Sequence, residues 1–178
     1  MKIYITRHGQ TDFNKEDIIQ GTTDNPLNET GLKQADELAE KVYQLKDVDI
    51  IISSPMIRAY TTAKAAADKC GLEIVTDERL REWNYGEYEG KSCRIKEFAE
   101  SKLNFGVRMG RTGESVLQLA HRVYSALDEI KEKYKDKNVL IVCHGGICRI
   151  AETYFHDLTV DGYANWFTLN CEIRKYEV

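Results

Sequence analysis

An apolar run near the start of the chain ends in Arg7-His8-Gly9: a cation, an imidazole and a glycine in succession. A neutral imidazole attacks phosphorus through a ring nitrogen, and neighbouring cations keep it neutral by lowering its pKa. Glycine lets the backbone turn sharply and lets a ligand come close. Gln10, Thr11 and Asn14 continue a polar loop. Alone, one histidine beside one arginine is equally a satisfied surface pair. A second histidine sits in Cys143-His144-Gly145-Gly146, directly after Val139-Leu140-Ile141-Val142. Two glycines opening a helix present backbone N–H groups and a positive helix end, which attract anions. His144 could donate there to a phosphoryl oxygen, or its imidazole could simply cap the helix.

Two further residues belong with these. Arg58 lies just after Ser54-Pro55, a pair that predicts a helix start with serine as cap and proline in the first turn. A cation near a helix N-terminus opposes the dipole, so an anionic partner would explain it; its fork suits phosphate. A solvent-facing arginine is the plainer account. Glu82 stands in Leu80-Arg81-Glu82-Trp83. Partial desolvation against tryptophan would suit a general acid, although the spacing alone fits an ion pair with Arg79 or Arg81 better.

The elements that position these residues alternate between strand and helix patterns. Ile3–Thr6, Asp49–Ser53, Glu73–Val75 and Asn138–Cys143 read as strands. Leu32–Leu45 reads as a helix with Leu32, Ala35, Leu38, Ala39 and Val42 on one face, and an alanine-rich helix runs from Ser54 to near Gly71. Lys96–Leu103 reads as a short helix, Ser115–Tyr134 as a long amphipathic one, and a further helix follows Gly146. Trp166–Tyr176 reads as one or two edge strands. The alternation predicts an α/β three-layer sandwich with a mostly parallel sheet, whose site lies beyond the carboxyl ends of the strands. Arg7-His8-Gly9, Ser53 to Arg58 and Cys143 to Gly146 all end there. Two arginines, two histidines and an acid would converge, as phosphoryl transfer requires: cations for the oxygens, an in-line nucleophile and a proton for the leaving oxygen.

At this point the chain resembles the histidine phosphatase superfamily, on its phosphoglycerate-mutase-like branch. The resemblance rests on ordered motifs from residue 6 to about 150. They are Arg7-His8-Gly9-Gln10-Thr11 with Asn14, Asp24-Asn25-Pro26-Leu27 with Gly31 and Gln34-Ala35, and Ser53-Ser54-Pro55 with Arg58-Ala59 and Thr62-Ala63. Leu80-Arg81-Glu82 with Gly86 and Glu89-Gly90, Gly113-Glu114-Ser115 and His144-Gly145-Gly146 complete the set. The resemblance implies that His8 becomes phosphohistidine, that Arg7, Arg58 and His144 hold the phosphoryl oxygens, and that Glu82 is proton donor and then base. It implies that Asn14 and the Gln20-Gly21-Thr22 loop line the entrance, with Gly145 also at the substrate. It implies no metal and no cofactor, and a small phosphate ester as partner.

Several rivals are weaker. Cys143 to Arg149 is Cys-x5-Arg after an apolar strand, which resembles the phosphate loop of low-molecular-weight tyrosine phosphatases. That loop belongs at an N-terminus with Ser or Thr after the arginine, where Ile150 stands, and it needs an Asp-Pro acid that is missing here. No P-loop and no G-x-S-x-G elbow occurs. Zinc on Cys143, His144 and Cys148 would have an uncommon spacing. A non-catalytic phosphate-binding module would not need both histidines and the acid. A cofactor-dependent phosphoglycerate mutase shares the core, but by the family resemblance carries a longer insertion after the acid. Only about twenty residues separate Gly90 from Gly113, which favours water as acceptor.

Composition bounds the rest. The 178 residues are 42% apolar and 30% charged, with 12 glycines and 2 prolines, as expected for one ordered globular domain spanning 1–178. The net charge of −4 argues against nucleic acid and anionic membrane as partners. Five cysteines without a CxxC pair, together with a start too polar for a signal peptide, predict free thiols and a cytoplasmic location. Against that acidic balance, a lid segment at about 90–112 carries six cations (Lys91, Arg94, Lys96, Lys102, Arg108 and Arg111) and two glutamates. A solvated helix with scattered charge accounts for this. Alternatively, the lid attracts a second anionic group on the substrate, with Phe98, Leu103, Phe105 and Met109 against an apolar portion. Oligomeric state is not legible.

Overall fold

The computed structural model describes all residues from Met1 to Val178. Strand β1 (Lys2–Arg7) leads through a short helix α1 (Asp12–Lys15) to α2 (Glu29–Leu45), β2 (Ile50–Ser53), α3 (Ile57–Cys70) and β3 (Ile74–Thr76). Single 3₁₀ turns at Glu78–Leu80 and Gly86–Tyr88 carry the chain to α4 (Lys96–Ser101), within the lid. Then come α5 (Val116–Lys133), β4 (Val139–Cys143), α6 (Gly145–Phe155), α7 (Val160–Asn165) and β5 (Ile173–Glu177).

The sheet order is β3-β2-β4-β1-β5, parallel throughout except for β5, which runs antiparallel against β1. Because side chains alternate across a strand, Ile3, Ile5, Ile50, Ile52, Val139 and Ile141 face one layer. Tyr4, Ile51, Leu140 and Val142 face the other. The first layer is α5, α6 and the lid, contributing Leu119, Val123, Leu127, Ile147, Phe98 and Met109. The second is α2 and α3, contributing Leu38, Val42, Ala59, Ala63 and Ala66. Every residue of β4 is buried, and a fully buried Val, Leu or Ile stabilises by about 1.5–3 kcal/mol. The two strands that carry the histidines, β1 and β4, therefore form the centre of the sheet. Their register pairs Arg7 with Cys143, which sets both histidines at one level beyond the carboxyl edge.

The sequence expectations fail at four places. Leu32, expected on the buried face of α2, is 48% exposed. Helix α3 begins at Ile57, with Met56 as a cap that makes no side-chain bond; Ser54 turns inward instead and is buried. The tail holds one strand, Ile173–Glu177, preceded by α7 and an irregular stretch in which Cys171 has φ of +57°. Thr159 caps α7 by accepting from Gly162 N. In the lid, Met109 is a core residue and Phe105 lies against Tyr163, with ring centroids 5.8 Å apart. Of the four lid apolars, Phe98 alone reaches the cavity described below.

Candidate active site

A cavity of about 350 Å³ opens beyond the carboxyl ends of β1 and β4. Arg7, His8, Glu82, Gly145 and Gly146 line it, with Asn14, Gln20 and Gly21 on one side and Thr168 and Asn170 on another.

His8 is buried, and its ring is fixed at both nitrogens. Nδ1 lies 2.7 Å from the Gly9 carbonyl. A carbonyl only accepts, so Nδ1 carries the proton and Nε2 carries the lone pair. Arg58 Nε donates to that lone pair at 3.2 Å. Burial, and then the charges of Arg58 and Arg7, push the His8 pKa well below the imidazole range, and only the Gly9 carbonyl opposes them. The backbone is held as firmly: His8 N donates to Cys143 O at 3.0 Å, and Asn170 Nδ2 donates to His8 O at 2.7 Å. Gly9 has a different reason to be glycine than ligand approach. A Cβ there would lie 2.4 Å from the Gly31 carbonyl, where the first turn of α2 packs against the loop.

Arg58 is fully buried in the first turn of α3. Its Nη1 donates to Thr23 O at 2.8 Å and its Nη2 to Gly21 O at 3.0 Å. The exposed Asp24 carboxylate lies 4.0 Å away and is itself bonded to Ile57 N. Arg7 donates through Nη1 to Thr168 O at 3.2 Å, and its buried Nε has no partner.

His144 is fully buried and does not cap α6. Its Nε2 pairs with Ser54 Oγ at 2.7 Å. Met56 N donates to that same oxygen, which frees the hydroxyl proton for Nε2 and leaves the ring proton on Nδ1. Nδ1 has no partner. The ring stands edge-on to His8 with centroids 5.2 Å apart, and burial, Arg58 and His8 push its pKa well below the imidazole range.

Glu82 is nearly buried and makes no ion pair with Arg79 or Arg81. Arg79 pairs with Asp77 and Glu129, and Arg81 faces Glu78. Glu82 Oε1 accepts from Trp83 N at 2.8 Å and from Gly146 N at 3.2 Å, on the first turn of α6. A Cβ at Gly146 would lie 2.6 Å from that oxygen, so glycine is required for the carboxylate to dock. Behind it, Arg122 on α5 donates to the carbonyls of Arg79, Arg81 and Glu82, and it pairs with Glu114 at 2.8 Å. Glu114 in turn accepts from Asn84 N. The acid thus hangs from a clamped loop. The sequence gives Glu114 only as part of a motif and gives no sign of Arg122.

Of the entrance residues, Asn14 and Gln20 line the cavity, and buried Gln20 Oε1 has no partner. Asn14 also completes the capping box of α1 with Thr11. Thr22 is turned away: its N and Oγ1 both donate to Glu89, at 2.9 and 2.7 Å. Tyr85, Thr168 and Asn170 also line the cavity and Ser54 bonds His144, although their spacing carries no signal of a site. No helix is long and apolar enough to cross a membrane.

The cysteine alternative has no geometric support. Cys143 is buried, and burial pushes its thiol well above the usual range; His144 and Arg58 also stand behind the cavity lining, but their polar atoms face His8 and Ser54. Its sulfur lies 3.5 Å from that of Cys148. Arg149 donates to the Trp166 carbonyl rather than toward Cys143. The basic lid is also partly answered: Arg94 pairs with Asp17, Lys96 with Glu100 and Arg111 with Glu87.

Comparison with known proteins bears on the family and the fold. A family model described as the histidine phosphatase superfamily, branch 1, matches residues 3–178. A Hydrogenobacter thermophilus protein provisionally named phosphoserine phosphatase 2 is 40% identical over 82% of this chain and 73% of its own length. Phosphoglycerate mutase-like protein 4 of Arabidopsis thaliana is 35% identical over 83% of this chain and 68% of its own. Among solved structures, a mycobacterial glucosyl-3-phosphoglycerate phosphatase in complex with VO₃ superposes with a TM-score of 0.85 at 26% identity, covering 98% of this chain and 91% of that one. By its sequence, its α/β sheet and these relatives, the chain belongs to the histidine phosphatase superfamily, branch 1.

Proposed function

We propose that the protein hydrolyses small soluble phosphate monoesters through a phosphohistidine at His8. The observation that carries this reading is the ring setting of His8: Nδ1–H on the Gly9 carbonyl, an unprotonated Nε2 that faces Arg58 Nε, and a pKa pushed well below the imidazole range. Such an imidazole is ready to attack across the whole physiological pH range.

Arg7, Arg58 and His144 Nδ1–H receive the phosphoryl oxygens. The unpartnered Arg7 Nε and His144 Nδ1 gain their missing acceptors in this way. His8 Nε2 then forms a bond to phosphorus as the P–O ester bond breaks. Protonated Glu82 gives its proton to the departing oxygen, and the alcohol leaves. The phosphoimidazolium keeps its Nδ1 proton on the Gly9 carbonyl. Next, the Glu82 carboxylate removes a proton from water, the water oxygen bonds to phosphorus, and the P–N bond breaks. This returns neutral His8 and inorganic phosphate. Gln20 Oε1, buried and without a donor, accepts from a substrate hydroxyl. The charge on the oxygens is met by guanidinium groups, and the reading needs no metal.

The test is His8→Ala against p-nitrophenyl phosphate and a phosphomonoester panel. Both turnover and an acid-labile phosphoenzyme should vanish, chelators should leave the native enzyme active, and substantial residual turnover would sink the assignment. Mutase activity with 2,3-bisphosphoglycerate, measured alongside, decides whether water or a second hydroxyl is the acceptor.

A further inference from the structure

The cavity holds more positive charge than one phosphoryl group can answer. Arg7 and Arg58 stand at His8. Two further cations line the wall: Lys102, at the end of the lid helix α4, and Arg149 on α6. Neither has a carboxylate partner. Lys102 is half-buried, and its ammonium makes no hydrogen bond and no ion pair and lies 4.0 Å from the centroid of the Phe98 ring. Arg149 spends two donors on the Trp166 carbonyl and lies 5.6 Å from the Tyr163 centroid. Aromatic faces and a carbonyl hold these side chains in place without cancelling their charge. The two cations also repel each other: burial and the Arg149 charge bring the Lys102 pKa down to about 8.

The acids of the same wall answer this charge only in part, since the pull of Glu82 on Lys102 ranks behind burial and the Arg149 charge. Asp17 is bound by Arg94, and Glu82 is docked on Gly146 N. An unpartnered, half-buried lysine sharing a cavity wall with an arginine costs stability. An anion entering the cavity would recover that cost. The other five lid cations cannot substitute: Arg94, Lys96 and Arg111 are paired, and none of the five lines the cavity.

From this juxtaposition we infer that Lys102 and Arg149 form a second anion subsite, so that the preferred substrate is a phosphomonoester bearing a further carboxylate or phosphoryl group. The inference rests on the phosphatase reading for the first group and on Lys102 and Arg149 for the second. It narrows the substrate to a small molecule whose second anion is met within the same 350 Å³ cavity as the scissile phosphate.

The experiment uses matched pairs that differ only in the second group. One pair is 3-phosphoglycerate against glycerol 3-phosphate, and the other is fructose 1,6-bisphosphate against fructose 6-phosphate. The wild type should favour the doubly anionic member of at least one pair by about ten- to hundredfold in kcat/KM, the effect of one or two charge-assisted contacts. Which pair shows the preference tells carboxylate from second phosphoryl. Lys102→Met should collapse that ratio by about tenfold, and the preference should shrink as salt rises. Lys102→Gln serves as a second variant, with melting curves to show that each folds. Equal turnover of both members of both pairs would overturn the subsite while leaving the phosphatase reading intact. If nothing is hydrolysed, the phosphatase reading fails instead. Calorimetric binding of the same compounds to His8→Ala then still decides the subsite, because unequal affinity supports it and equal affinity removes it.

Discussion

Two uncharged buried histidines make a quantitative claim about acid stability. His8 and His144 each have a pKa held well below the 6.5 of an unperturbed imidazole, first by burial and then by Arg58. In the unfolded chain both return to about 6.5. The unfolded state therefore binds more protons as the pH drops through that value, so the folded state loses stability toward acid and regains it toward neutrality. For a group that stays uncharged when folded, the loss is 2.303RT·log(1 + 10^(6.5 − pH)). This is about 1.4 kcal/mol per histidine at pH 5.5 and less than about 0.1 kcal/mol at pH 7.5. Together the pair removes about 2.8 kcal/mol between those two pH values, a large share of an ordinary folding free energy. Urea unfolding of the wild type, His8→Asn and His144→Asn at both pH values reads this directly. Comparing each variant with itself cancels the packing change, and the carboxylates contribute alike to all three. Each replacement should shrink the loss from pH 7.5 to 5.5 by about 1.4 kcal/mol. A variant that loses as much as the wild type, within about 0.5 kcal/mol, would show that its histidine is protonated or exposed in the fold, and the nucleophile argument would fall with it.

Other residues give sharper contrasts in rate. Glu82→Gln should slow alkyl phosphates by about 10²- to 10⁴-fold, the usual range for a general acid; p-nitrophenyl phosphate, whose leaving group hardly needs a proton, should slow much less, and equal slowing would remove Glu82 from that role. Gly146→Ala puts a methyl 2.6 Å from Glu82 Oε1, so kcat should fall at least tenfold while the melting temperature changes little, and an unchanged kcat would mean that the dock is idle. Cys143→Ser should keep most activity, and its complete loss would revive the cysteine reading. Arg122→Met leaves Glu114 without its ion pair and three carbonyls without donors, so denaturant unfolding should show a loss of about 2–4 kcal/mol.

Much of the fold was legible because the signals were local. The continuous apolar run of β4 can only be a fully buried strand, and the glycines after it mark the turn into α6. Three segments converging on one sheet edge followed from the parallel order, which brought His8, His144, Arg7 and Arg58 together. Where partners are distant in sequence, the reading failed. The lid cations looked free because Asp17 and Glu87 lie outside the lid. Arg79 and Arg81 looked like partners for Glu82, yet the backbone amides of Trp83 and Gly146 took that place. Ser54 reads as a helix cap from Ser-Pro alone; its bond to His144 spans ninety residues. The apolar residues Phe167, Leu169, Cys171 and Ile173 alternate as in a strand, which hides the irregular turn that delivers Thr168 and Asn170 to the cavity.

What separates the functional cations from the rest is the chemistry of their partners. On the surface, Lys2, Lys64, Lys69, Arg79, Arg94 and Arg111 each meet a carboxylate, and Arg122 does so in its structural clamp. At and behind the cavity, Arg58 is held by two carbonyls with the Asp24 carboxylate no nearer than 4.0 Å, Arg7 by one carbonyl, Arg149 by one and Lys102 by an aromatic face. A carboxylate would hold these side chains more strongly, but it would occupy the charge that the substrate must use. A carbonyl orients a guanidinium and leaves its formal charge intact, at the expense of stability in the empty enzyme. The same logic keeps both imidazoles neutral, since surrounding positive charge without counter-ions disfavours their protonation. A net charge of −4 and a cationic cavity are therefore compatible, because many acidic residues pair with outer cations, while the cavity cations keep a carboxylate no closer than Asp24 at 4.0 Å from Arg58.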